Sequence, residues 1–164
     1  GYAPYRWGLG RNAGDVPGLL PKVAGRLREV SERSGRKVHL VGWSLGGYLA
    51  REAARDDPER VARVITLGSP VVGGPKHTVV AAAYRQRGID LERVEAWVEA
   101  RYERPLTVPV TAIYSPADAI VDWRACIDER SPHVEHVEVR TTHLGFGFSP
   151  EVYALIADRL ARLR

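Results

Sequence analysis

Methionine is absent from all 164 residues, the first included. A chain so written is not a primary translation product, and it opens inside an aromatic-rich, strand-like piece, Tyr2 to Trp7, so further sequence is expected upstream of Gly1. Cysteine occurs once, at Cys126, which excludes an internal disulfide. No CxxC pair or zinc-type Cys/His spacing accompanies it, and a core thiol is expected. Long apolar runs are missing as well. None approaches the ~20 residues that cross a bilayer, and the N-terminus lacks the basic-then-apolar layout of a signal peptide. No integral membrane segment is therefore expected, and any export signal would lie upstream of Gly1; the compartment stays open, with the cytoplasm slightly favoured. Lysine is scarce, with 3 Lys against 21 Arg in a net charge of +4. The arginines are scattered along helices and interleaved with acids, as Arg26, Arg28 and Arg33 are with Glu29 and Glu32. That pattern describes solvated faces rather than a basic module, and no nucleic-acid partner is expected.

What is present is an alternation of strands and helices. From about Pro17 to Ser34 the apolar Leu20, Val23, Leu27 and Val30 recur at helical spacing before Gly35. Val38 to Val41 reads as a buried strand. A helix then runs from after Ser44 to about Asp57, where Pro58 stops it. Val61 to Leu67, Val108 to Tyr114 and Val134 to Arg140 read as three more strands, on their β-branched content. The last helix begins with Ser149 as cap and Pro150 at its first position, with Val152, Leu155, Ile156, Leu160 and Leu163 as its apolar stripe. Such alternation implies an α/β fold, a mostly parallel sheet flanked by helices. Between the second and third of these strands, residues 71–107 form an insertion with two helical stretches, Val79 to Arg87 and Leu91 to Glu103, broken by Gly88. This insertion is expected either to cap a site at the sheet edge or to pack on the body as an ordinary helix pair. Its Val79, Val80, Ala82, Ala83, Tyr84, Leu91, Val94 and Trp97 are the side chains available to line an acyl pocket.

One segment carries chemistry. Gly42-Trp43-Ser44-Leu45-Gly46 stands between the first of these strands and the helix that follows. A G-x-S-x-G sequence there is the pattern of a nucleophile elbow, a sharp turn that presents a serine hydroxyl. Without Cβ atoms at Gly42 and Gly46, strand and helix are expected to approach closely around a strained serine. A serine hydroxyl is a poor nucleophile at neutral pH and needs a base to take its proton and an acid to orient that base. Asp118, in the turn after the strand ending at Tyr114, and His143, in the loop after the strand ending at Arg140, both project from strand ends, the side on which open α/β sheets bind ligands. Asp122 is the reserve acid, expected instead to cap or solvate the following turn. His39, His77, His133 and His136 are expected to be structural or surface residues.

Four stretches together make the chain similar to the α/β-hydrolase superfamily, within a bacterial lipase- or esterase-like subgroup: WGLGRN (Trp7 to Asn12), HLVGWSLGG (His39 to Gly47), VITLGSP (Val64 to Pro70) and HLGFGF (His143 to Phe148). The resemblance implies Ser44 as nucleophile, His143 as general base and then acid, Asp118 as the group orienting His143, and the backbone N–H of Leu45 as one oxyanion donor. It implies a carboxylic-ester hydrolase acting through an acyl-enzyme on a small-molecule acyl ester, with no metal or organic cofactor. Other readings of the same triad are an acyltransferase, an amide or thioester hydrolase, and a catalytically silent binding protein. The resemblance further implies one hydrolase domain over residues 1–164, lacking its first three strands, in which Tyr2 to Trp7 is the fourth strand. The second oxyanion donor would come from the missing part. The complete parent protein is therefore expected to be active and the 164-residue chain alone weakly stable and nearly inert.

Overall fold

A computed structural model describes residues 1–10, 12, 14–72 and 90–162. The elements in chain order are α1 (Val16–Ser34), β1 (Val38–Trp43), α2 (Leu45–Asp56), β2 (Val61–Leu67), α3 (Leu91–Tyr102), β3 (Val110–Tyr114), β4 (Val134–Glu138) and α4 (Pro150–Ala161). Three of the four helices, all but α2, start where a short polar side chain satisfies an orphan N–H. Asp15 accepts from Gly18 N at 3.0 Å, Asp90 from Arg93 N at 3.1 Å and Ser149 from Val152 N at 3.4 Å. Gly35, in the left-handed region at φ 63°, ends α1.

The four strands pair in the order β1-β2-β3-β4, and every pairing is parallel. The register aligns Trp43 with Leu67, Leu67 with Ile113 and Ile113 with Val137, so the carboxyl ends of all four strands share one edge of the sheet. The expected α/β architecture is the observed one. Against one part of the sheet, Leu20, Leu27, Ala53, Ala54, Val61, Val64, Leu106 and Val110 form a buried cluster; Ile65, Leu67, Ile113, Val139, Phe146 and Val152 form another under α4. The Val, Leu, Ile and Phe side chains among them each contribute about 1.5–3 kcal/mol when fully removed from water.

Helix α2 is buried along eight consecutive residues, Gly47 to Ala54, enclosed by the sheet, α1 and α3. Two of the eight are charged. Arg51 donates to Asp128, and Glu52 accepts from Arg55 and from Arg101 on α3. Val94 and Trp97 of α3 pack in the same cluster as Tyr48, Leu49 and Val98. The helical stretch expected at Val79 to Arg87, with Gly88, lies outside the described residues, as do Leu163 and the apolar side chains from Val79 to Tyr84.

Two expectations are corrected. Tyr2 to Trp7 is not a strand: its backbone pairs with none of the described strands. Pro4 removes a ladder donor, and side chains hold the segment instead. The Tyr2 hydroxyl donates to the Leu160 carbonyl, and Trp7 Nε1 donates to Gly10 O at 2.8 Å. The segment runs beside β1 across a cavity of about 1100 Å³ whose walls include Tyr2, Trp7, Val23, Leu27, Val38 and Val41. Consequently β1 is an edge strand among the described residues, not a fully buried one, and Val41 is 48% exposed.

Candidate functional site

Ser44 sits between β1 and α2 at φ 53°, ψ −128°, and among the described residues no other non-glycine residue has positive φ. Such a backbone costs on the order of 1–3 kcal/mol and persists only where the surroundings over-determine it. Three contacts do so here. Ser44 N donates to Leu67 O at 2.8 Å, and the Ser44 carbonyl accepts from Gly47 N at 3.0 Å and Tyr48 N at 3.3 Å. Strand and helix also press together so closely that side chains are excluded. A Cβ on Gly42 would lie 2.5 Å from Gly46 O and from Gly47 Cα, and one on Gly47 would lie 2.0 Å from Ser69 Oγ. The glycine expected to matter at position 46 has open space around it, because that Cα faces the cavity beside β1 rather than the strand. The close approach therefore belongs to Gly42 and Gly47. Leu45, the first residue of α2, carries one of the N–H groups that helix geometry leaves without a carbonyl.

Beyond β3 the chain turns at Ser115-Pro116-Ala117-Asp118, with Asp118 N donating to Ser115 O at 3.1 Å. The buried Ser115 hydroxyl accepts from Ala117 N at 3.1 Å and from Thr141 N at 3.2 Å, tying this turn to the loop after β4. Asp118 Oδ1 accepts from Ile120 N at 2.8 Å and Val121 N at 3.0 Å. Its Oδ2 lies 2.7 Å from His143 Nδ1, with both side chains buried. A carboxylate only accepts, so Nδ1–H donates, and Nε2 of the neutral ring is left with a free lone pair. Asp122 is elsewhere occupied: it caps the short turn Trp123–Cys126, accepting from Arg124 N at 3.0 Å.

The imidazole of His143 lies against two rings. Trp43, immediately before Ser44, has its ring centroid 5.4 Å away, and Phe146 meets the imidazole edge-on at 6.4 Å. The loop bearing His143 and the turn bearing Ser44 are thus adjacent, although no hydrogen bond joins the two side chains among those of the described residues. Catalytic hydrogen bonds are commonly long before substrate binds. Neither aromatic contact was legible in advance. Phe146 carries a faint signal, one helical turn past His143, whereas Trp43 is brought in from 100 positions away.

The other described histidines lie away from this cluster. His39, on β1, meets Tyr2 edge-on, and burial, then Arg63, lowers its pKa. His136 Nε2 accepts from Asp128 N at 3.0 Å, and burial lowers its pKa too. His133 is exposed, and His77 lies outside the described residues. Cys126 is buried, and burial, reinforced by Asp118 and Asp122, pushes its thiol up to about 12, so it behaves as a neutral core group. Among the described residues, no group of three or more His, Cys, Asp or Glu side chains is arranged to share a metal ion. No helix among them is long and apolar enough to cross a membrane. The cavity beside β1 is lined by none of Ser44, Asp118 or His143.

Known proteins bear on this arrangement in three ways. The chain is 39% identical over 62 residues, 38% of its length, to the pimeloyl-[acyl-carrier protein] methyl ester esterase of Edwardsiella ictaluri, and 42% identical over 57 residues to the enzyme of that name from Aeromonas hydrophila. These matches span only 23% and 21% of the relatives' own lengths. Among solved structures, that of the metagenome-derived lipolytic enzymes LipS and LipT superposes with a TM-score of 0.69 at 18% identity, covering 93% of this chain and 74% of the other. The monoacylglycerol lipase of Paleococcus ferrophilus gives 0.62 at 16%, covering 88% and 74%. Likeness at such identities concerns the fold alone. Residues 32–116, just over half the chain, match the sequence profile of the alpha/beta hydrolase fold, and the protein belongs to that family.

Proposed function

We propose that this chain carries the catalytic residues of a carboxylic-ester hydrolase, with Ser44 as nucleophile, His143 as general base and Asp118 as the group that orients it. The observation that carries the reading is the 2.7 Å hydrogen bond from His143 Nδ1 to a fully engaged carboxylate, beside a serine held in a strained turn. With Nδ1–H committed to Asp118, Nε2 accepts the Ser44 proton as the hydroxyl oxygen attacks the acyl carbonyl. Negative charge gathering on the carbonyl oxygen is met by the N–H of Leu45 at the start of α2, where the helix dipole also favours an anion. The imidazolium then protonates the leaving alcohol, leaving the acyl group on Ser44. In the second half, His143 takes a proton from water, the hydroxide attacks the acyl-enzyme, and the acid departs as Ser44 recovers its proton.

The named activity of the two curated relatives, hydrolysis of a methyl ester, supports esters of small alcohols as the first substrate class to test. The assay uses the full-length protein with a short-chain aryl ester and a serine-directed phosphonate. Ser44→Ala is expected to lower turnover on the order of 10⁴- to 10⁶-fold and to abolish labelling. Labelling retained in Ser44→Ala would overturn the assignment. A wild-type protein that neither hydrolyses aryl esters nor is labelled by the phosphonate would point to a silent member of the fold.

A further inference from the structure

The hydrogen bond to Asp118 restrains one atom of the His143 ring but does not by itself fix rotation about the Cα–Cβ and Cβ–Cγ bonds. That rotation decides where Nε2 points. Two aromatic contacts oppose it, and they differ in kind. Phe146 is wholly buried and belongs to the same short turn as His143, Leu144–Gly147, so it travels with the histidine loop. It cannot by itself refer the ring to the nucleophile. Trp43 can. It is the last residue of β1, its peptide is continuous with Ser44, and that junction is pinned by the 2.8 Å bond from Ser44 N to Leu67 O. Its ring centroid stands 5.4 Å from that of the imidazole with the planes inclined at 39°. Separations of this order are those at which aromatic pairs attract, and at which an indole also stabilises a cation.

We propose that Trp43 is a positioning residue: carried on the elbow itself, its indole sets the rotation of the His143 imidazole so that Nε2 faces the Ser44 hydroxyl. This role rests on the hydrolase reading above, but the contact has a signature of its own. Trp43 is 41% exposed, so its replacement disturbs no sealed core. An imidazolium in contact with an indole quenches its fluorescence, and the emission of Trp43 is separated from that of the other three tryptophans by difference against Trp43→Phe.

In the full-length protein, the emission missing from Trp43→Phe should fall as His143 is protonated, and that pH dependence should vanish in His143→Gln. The same emission curve in His143→Gln as in the parent would overturn the contact. For turnover of a short-chain aryl ester, Trp43→Ala is expected to lower kcat about ten- to a hundredfold through misalignment, with little change in KM. Trp43→Phe, which keeps a ring, is expected to recover kcat to within about threefold of the parent. An unchanged kcat in Trp43→Ala would overturn the role. So would a loss confined to KM, which would make Trp43 a substrate wall, or a Trp43→Phe protein with parental melting temperature that is no better than Trp43→Ala. A parent that hydrolyses no ester sinks the hydrolase reading, and with it the catalytic use of the contact, while the emission titration still decides whether indole and imidazole meet.

Discussion

The two halves of α2 are held by opposite means. At its start, order comes from missing atoms. Strand and helix touch through Gly42 and Gly47, where any Cβ would collide, and the reward is a strained Ser44 that no looser packing would sustain. One turn later, order comes from charge. Arg51 and Asp128 form an ion pair with side chains 1% and 0% exposed, and Glu52 gathers Arg55 and Arg101. Asp128 accepts further bonds on Oδ1, from Arg130 N at 3.0 Å and Ser131 N at 3.1 Å. The Arg51 Nε and Nη1 atoms have no partner among the described protein groups. Burial lowers the Arg51 pKa, opposed by the attraction of Asp128; the guanidinium in turn holds the Asp128 carboxyl below the usual carboxylate range despite its own burial. The steric half fixes the backbone of Ser44, and the charged half fixes the helix that follows it.

Substitutions at each half separate these roles. The largest expected effect is on rate. Asp118→Asn preserves shape but offers an amide to His143, and on the proposed assignment it should lower kcat for ester hydrolysis by up to about 10⁴-fold while melting temperature moves little. Rates within tenfold of the parent would show that His143 needs no carboxylate. Next comes stability at the charged half. Asp128→Ala strands a buried guanidinium and should cost about 3–5 kcal/mol by denaturant titration. The pair also carries an acid dependence. Because the Asp128 pKa is lowered in the folded state, its contribution is fully present above the ordinary carboxylate pKa of about 3.9 and is lost as pH falls through the depressed folded value. Acid unfolding curves of parent and Asp128→Asn should therefore converge at low pH. A constant gap between them would show that the pair is not the source. Smallest is Gly42→Ala. Its methyl must displace backbone of α2, for about 1–3 kcal/mol, and activity should fall more than stability because Ser44 shifts with the helix. Equal stability and equal rate would show that the elbow is looser than its contacts imply.

The same division explains what could be read from the chain. Steric demands are local: a glycine, a serine and two more glycines between an apolar run and a helix mark a turn that few other residues permit, so the elbow was visible within a few positions. Asp118 and His143 were traceable because parallel strands deliver the loops after their carboxyl ends to one edge. Ser149 and Pro150 announced α4 to the residue. Pairings between distant side chains left no such trace. Arg51 and Asp128 are 77 positions apart, and nothing in either neighbourhood marks them as partners. Gly46 was misread for a related reason, since the pattern of an elbow does not say which of its later glycines faces the strand. Tyr2 to Trp7 has the composition of a strand, but Pro4 removes a ladder donor and the segment stands off the free edge of β1 across a cavity, a placement that composition does not report.

Strand order has a temporal consequence. Because the described strands lie side by side in the order in which they occur along the chain, the residues of the Ser44 turn and of β2 leave the ribosome before those of β4 and of the His143 loop that follows it. On the proposed assignment, ribosomal synthesis would deliver the nucleophile early and its general base late, keeping the nascent chain chemically quiet until β4 docks.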